Sequence, residues 1–373
     1  MTQYEQRLLR TRNAVEMKPV DKIPVSINGP AFIAHAQGLK LKGATTDYEM
    51  AAQAAVCLME RLETADSIQT PIICPQTLSD LWLSKVSRPG FELPDDELWQ
   101  VEEAEVVQYD DYQYILDHGY AQFRQEVLAN RLKVDFQEIN RFARSMPGAV
   151  RCCAEAGIPV INSGGNIGTP FEPMCGGRSL ENFFVDLMDE PELIARVFAE
   201  IMKTSREEFS RALEQSNNAF GAWVGGWRAA PDMISPAIWE EFVWPYLKEL
   251  ALIAIQHEIV PIFHLDSCWD RAFAYFKELP PRRCILSLDG TSNARLCREV
   301  LGDHSAIMGD VPATLLAFGT EEEVYEYTTK LIQDVGPKTG LIVCSGCDIP
   351  FNAKFENVKA MVDAVAAFPT AIR

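Results

Sequence analysis

Two short segments concentrate the side chains best suited to chemistry. F-H-L-D-S-C (263–268) and V-C-S-G-C-D-I-P (343–350) each end an apolar run, and together they supply an imidazole, a carboxylate and several thiols. Zinc takes nitrogen, sulfur and carboxylate oxygen in tetrahedral sets, and a catalytic zinc keeps one position open for substrate. The preferred ligands are His264 and Cys347, with Asp266 or Cys268 as the third and Cys344 as a substitute. His-x-Asp-x-Cys and Cys-x-x-Cys do not by themselves make a zinc-ribbon pattern, and free cysteines are also common core residues. The plainer alternative is a hydrogen-bonded histidine among buried thiols.

A second constellation is G-G-W-R-A-A-P-D-M-I-S-P (225–236), where paired glycines allow close backbone approach. Trp227 and Arg228 there offer a flat face and a fixed cation suited to a planar or anionic molecule. Trp223 adds another ring, and Asn28, Asn166 and Asp66 end or follow other apolar runs. Asp289 and Asp310 close L-S-L-D-G and I-M-G-D-V-P, positions open to an acid, a base, a supporting carboxylate or an ordinary loop cap. The glycine-rich S-G-G-N-I-G-T-P-F-E-P (163–173) does not follow G-x-G-x-x-G, and Pro170 and Pro173 interrupt the helix a dinucleotide site needs. There is no P-loop, no G-x-S-x-G elbow and no H-E-x-x-H.

The elements that must position these residues show as short apolar runs alternating with helix-like stretches. The runs are IPVSING (23–29), ADSIQTP (65–71), IPVINSG (158–164), AFGAWVGGW (219–227), IVPIFHLD (259–266), CILSLDG (284–290), SAIMGDV (305–311) and GLIVCSG (340–346). Eight such runs fit a closed parallel (β/α)8 barrel, whose active sites lie at the C-terminal strand ends. Helices are expected over 45–63, 189–215, 236–257, 320–334 and 353–367, with Ser235-Pro236 as a start signal and Gly119 and Gly157 as stops. Residues 75–156 exceed the needs of one βα unit and read as a helical insertion above the mouth of a single barrel domain.

With 373 residues the chain is long enough for such a barrel. A formal charge of −19 repels a phosphate backbone or an anionic bilayer, which disfavours nucleic-acid and membrane roles. No apolar run approaches membrane-spanning length, and the first residues lack a secretory layout. The ten irregularly spaced cysteines do not read as a disulfide framework, so a reducing cytoplasm is expected.

Five stretches stand out together: G-G-R-S-L-E-N-F-F-V-D-L-M-D-E-P (176–191), I-S-P-x-x-W-E-E-F-V-W-P-Y (234–246), F-H-L-D (263–266), D-G (289–290) and S-G-C-D-I-P (345–350). Through them the chain resembles, over most of its length, the uroporphyrinogen decarboxylase superfamily. It implies one of two branches: tetrapyrrole decarboxylases without a cofactor, or methyltransferases working with a corrinoid protein. The decarboxylases carry an R-Q-A-G-R-Y-type segment after the first strand, because a polycarboxylate substrate needs cations. Here I-N-G-P-A-F-I-A-H-A-Q-G (27–38) contains neither arginine nor lysine. The methyltransferases carry a zinc site of the form His-x-Cys with a distant Cys; His264 and Cys347 match it, and Asp266 replaces the middle cysteine.

The resemblance therefore implies methyl transfer from a small methylated donor to the Co(I) corrinoid of a partner protein, since the chain has no D-x-H-x-x-G segment of its own. An aryl methyl ether suits the aromatic candidates Phe32, Trp223 and Trp227. His264 would be ligand or acid, Asp266 ligand or orienter and Cys347 ligand, with Asp289 and Asp310 as supporting carboxylates. The other readings are methylation of a thiol from a methylcorrinoid, cofactor-free decarboxylation, and a non-enzymatic corrinoid-binding or scaffolding role.

Overall fold

The computed structural model describes residues 1–216, 219–336 and 339–369. Its strands are β1 (Ser26–Ile27), β2 (Ser67–Ile68), β3 (Lys85–Ser87), β4 (Gln100–Glu102), β5 (Asn162–Ile167), β6 (Gly221–Gly225), β7 (Val260–Leu265), β8 (Ile285–Leu288), β9 (Ala306–Val311) and β10 (Leu341–Ser345). β5 to β10 lie side by side in chain order, all parallel, and β1 pairs in parallel with β2. Single parallel bridges, Val25 with Val343 and Ile68 with Val160, join these two sheets at both edges. The Val343 N–H donates to the Pro24 carbonyl at 2.9 Å, and the Ile161 N–H to that of Ile68 at 2.9 Å. Eight parallel strands thus form a ring, each overlapping one of the eight apolar runs, with β5 running on past the end of its own.

Strand periodicity explains how the ring fills. Ile262, Ile285, Ala306, Met308 and Ile342 pack together with Ile161 and Phe220, while their neighbours Phe263, Leu286, Ile307 and Val343 join the larger cluster shared with the helices. Alternate residues therefore serve two cores. Burying each such Ile or Phe contributes about 1.5–3 kcal/mol. Ala14 and Val15, from the helix Gln3–Val15, join the inner cluster with Val20 and close one end of the barrel.

The helices follow their start signals. Asp47 caps Tyr48–Arg61 by accepting from the Met50 N–H at 3.0 Å, and Ser235 caps Pro236–Phe242 through the Ile238 N–H at 3.3 Å. The helix expected over 236–257 is two, Pro236–Phe242 and Trp244–Gln256, broken at Val243. Pro245 has no N–H to give to the preceding turn and its ring clashes with that turn.

Segment 75–156 departs from the uniformly helical expectation. It holds the helix Thr77–Trp82, an antiparallel hairpin of β3 and β4, and the helices Asp111–His118 and Tyr120–Glu126. Arg88-Pro89-Gly90 and Pro94 stop helix propagation there, and Gly90 adopts a φ of +76° that favours glycine. The last element, Phe136–Glu155, shares an apolar cluster with Tyr48–Arg61: Ala149 and Met146 meet Tyr48, Ala51 and Ala52.

Candidate active site

His264 shares its strand face with Ile262, so its imidazole points inward near the C-terminal end of β7, and Asp266 follows with the same parity just beyond the strand. Cys347 sits in the turn after β10. These three form the one group among the described residues able to offer three ligand atoms to a metal, all within 4.8 Å of one another. The His264 Nε2 lies 3.1 Å from Asp266 Oδ1 and 3.6 Å from Cys347 Sγ. The His264 and Asp266 side chains keep 15% and 29% of their surface exposed, so the cluster opens outward.

Charge coupling is strong. Burial works against an imidazolium at His264, but Asp266 and then Cys347 outweigh it and hold the pKa well above the ordinary value. Burial likewise resists ionisation of Asp266, yet His264 holds that carboxyl below its usual range. The nitrogen, oxygen and sulfur donors are of the types that zinc takes.

The remaining sequence candidates divide. Trp223 lies beside the cluster, its ring centroid 6.1 Å from that of His264, and its main-chain N–H donates to Asn162 Oδ1 at 3.1 Å. Asn166 accepts from Asn162 Nδ2 at 3.1 Å across an irregularity in β5. The Asn28 amide donates to Asp348 Oδ1 at 2.5 Å, beside Cys347. Arg228 is buried to 1% exposure, its guanidinium carbon 4.2 Å from the Trp227 ring centre and 5.5 Å from that of Trp82.

The other candidates stand outside the three-residue group. Cys268 is outside the three-residue group, its N–H held by Asp232 at 3.2 Å. Cys344 faces the closed barrel interior, where the Gln69 amide reaches its sulfur at 3.2 Å and burial pushes the thiol up to about 11. Asp289 anchors loops, accepting from the N–H groups of Ser267 and Thr291 at 2.7 Å each. Asp310 is buried and accepts from the Tyr327 hydroxyl at 3.0 Å; burial pushes its carboxyl up to about 6. Asp66 precedes β2 instead of following it, and it pairs with Arg10 and, at 3.1 Å, with Lys22. Phe32 is fully buried in the outer core.

Sequence reasoning passed over Glu172. It is fully buried after β5, accepts from the Ala229 N–H at 3.1 Å, and approaches Arg228 Nη1 to 3.9 Å. Burial pushes its carboxyl up to about 7 despite Arg228. It lies in the glycine-rich segment set against a dinucleotide fingerprint, and the signal that points to it is Gly226. A Cβ at that glycine would stand 2.0 Å from the Glu172 Cδ.

Comparison with known proteins bears on the fold and the family. A methyltransferase from Methanosarcina mazei superposes with a TM-score of 0.71 at 18% identity, covering 96% of this chain and 98% of that one. At that identity the likeness establishes the shared fold. No curated protein matches the sequence. The profile of the uroporphyrinogen decarboxylase (URO-D) family matches residues 123–368, and the chain belongs to that family.

Proposed function

We propose that this protein is a methyltransferase that moves a methyl group from a small methylated donor, an aryl methyl ether, to the corrinoid of a partner protein. The observation that carries the reading is the convergence of His264, Asp266 and Cys347 at the strand ends of a URO-D-family barrel. The Methanosarcina mazei methyltransferase, alike in fold over nearly its whole length, supports it.

The three side chains would hold zinc, which supplies a Lewis acid for the ether oxygen as it leaves. Asp266 Oδ1 and Cys347 Sγ both face the His264 Nε2, so the three donor atoms converge on one place. Trp223 stands beside that imidazole as a flat wall for a planar donor. The strand ends are rigid, so they align the donor for in-line displacement, where positioning provides much of the rate. The ten cysteines are unbonded, in keeping with a reducing cytoplasm. No helix among the described residues is long and apolar enough to cross a membrane.

The test mixes the purified protein with guaiacol and a reduced corrinoid protein. Methylcorrinoid and free catechol are the expected products, read by absorbance and chromatography. No transfer from ethers, methylamines or methyl thiols would refute the assignment.

A further inference from the structure

Arg228 and Glu172 are buried to 1% and 0% exposure, yet much of their bonding capacity is unused. Arg228 Nε and Nη1 and Glu172 Oε2 have no hydrogen-bond partner, and the two charged groups stand 3.9 Å apart, too far for a direct bond. Leaving such groups unmet in the interior is costly, and each is expected to find a partner. One oxygen about 2.8 Å from both ends spans such a gap at an angle near 90°. The Trp82 indole N–H, on a ring already facing Arg228, is also unpartnered.

The gap borders the His264 cluster. Gly225 pairs in register with His264, and a Cβ on it would lie 3.0 Å from the His264 carbonyl oxygen. The next residue, Gly226, presses against the Glu172 carboxyl. Gly225 thus lies against the His264 backbone and Gly226 against the Glu172 carboxyl.

We infer that the space between Arg228 and Glu172 is a subsite for a hydroxyl group on the substrate, which accepts from the guanidinium and donates to the carboxylate. An anion fits worse. The guanidinium already faces two carboxylates, Glu172 and Glu103, each at 3.9 Å, and the whole chain carries −19. A metal ion is repelled by Arg228. Taken with the proposed function, on which the choice of ring rests, the substrate is an aryl ether that also bears a hydroxyl. Trp82 and Glu103 roof the gap from segment 75–156, so access requires that segment to part from the loop after β6.

Binding of guaiacol, catechol and anisole to the purified protein, followed by calorimetry and tryptophan fluorescence, tests this without any methyl transfer. Guaiacol and catechol should bind at least about tenfold more tightly than anisole, the scale of a hydrogen bond to a charged group. In Glu172→Gln and Arg228→Lys, checked for unchanged melting and zinc content, that preference should fall below about threefold. Equal binding of the three compounds by the unaltered protein, or no binding, overturns the subsite and leaves the gap to water. A retained preference in both variants overturns it as well. Hydroxyl preference without methyl transfer would sink the proposed function and leave the subsite standing.

Discussion

The Cys347 sulfur lies 3.6 Å from the His264 Nε2 although 83 positions separate the two residues in the chain. Each sits at the C-terminal end of its own strand, with β8 and β9 between β7 and β10 in the ring. The sulfur reaches the imidazole across the barrel interior, as in other barrels whose active residues come from several strands.

Metal content should follow that pairing. His264→Ala and Cys347→Ala are each expected to weaken zinc binding by more than about 100-fold, the upper range for losing only an outer partner. Cys268→Ser should retain the metal, because Cys268 is outside the three-residue group. Mass spectrometry of protein purified without chelator gives the zinc per chain, and equal loss in all three variants would contradict the ligand set.

Asp310 should make stability depend on pH. Its folded carboxyl titrates near 6, above the ordinary 3.8, so the native state holds the extra proton between these values. Stability from this group is therefore full below about pH 4 and falls as pH rises to about 6. Asp310→Asn keeps an acceptor for Tyr327 and removes the penalty, with a gain of up to about 3 kcal/mol at pH 7 that vanishes near pH 4. Urea unfolding of both proteins at the two pH values measures it.

Gly226→Ala should disturb the site through Glu172. The added methyl meets the carboxyl at 2.0–2.3 Å, so Glu172 must move and lose its bond from the Ala229 N–H. A destabilisation of about 1–3 kcal/mol is expected from overpacking. Thermal melting that matches the unaltered protein would show that Glu172 has room to yield.

Asp66 tests the opposite end of the barrel. It is 1% exposed, accepts from the Val25 N–H at 2.9 Å and pairs with Arg10 and Lys22. Asp66→Ala leaves these donors unmatched and should cost about 3–5 kcal/mol. Zinc content of the folded fraction should stay unchanged; its loss would place Asp66 in the site after all.

The order of apolar runs was enough to place all eight barrel strands, because residues covered on both faces leave near-continuous apolar stretches. Parity along F-H-L-D also put His264 and Asp266 on the same side, since strand side chains alternate. Helix starts at Asp47 and Ser235 were legible because a cap is a local bond between neighbouring residues.

What the tertiary structure alone decided concerns distance across the chain. The sequence reading preferred Cys347 but kept Cys268 and Cys344 open; in the fold Cys347 meets His264, while Cys344 turns into the closed interior and Cys268 lies outside the three-residue group. Glu172 lay in the glycine-rich segment set against a dinucleotide fingerprint, and it stands beside Arg228 where Gly226 leaves room for its carboxyl. Asp66 was grouped with the strand-end residues, yet it precedes its strand and pairs with Arg10; the Tyr327 hydroxyl on Asp310 likewise comes from a helix distant in sequence. Local pattern sets which way a side chain faces, whereas ring closure and packing set what stands opposite it.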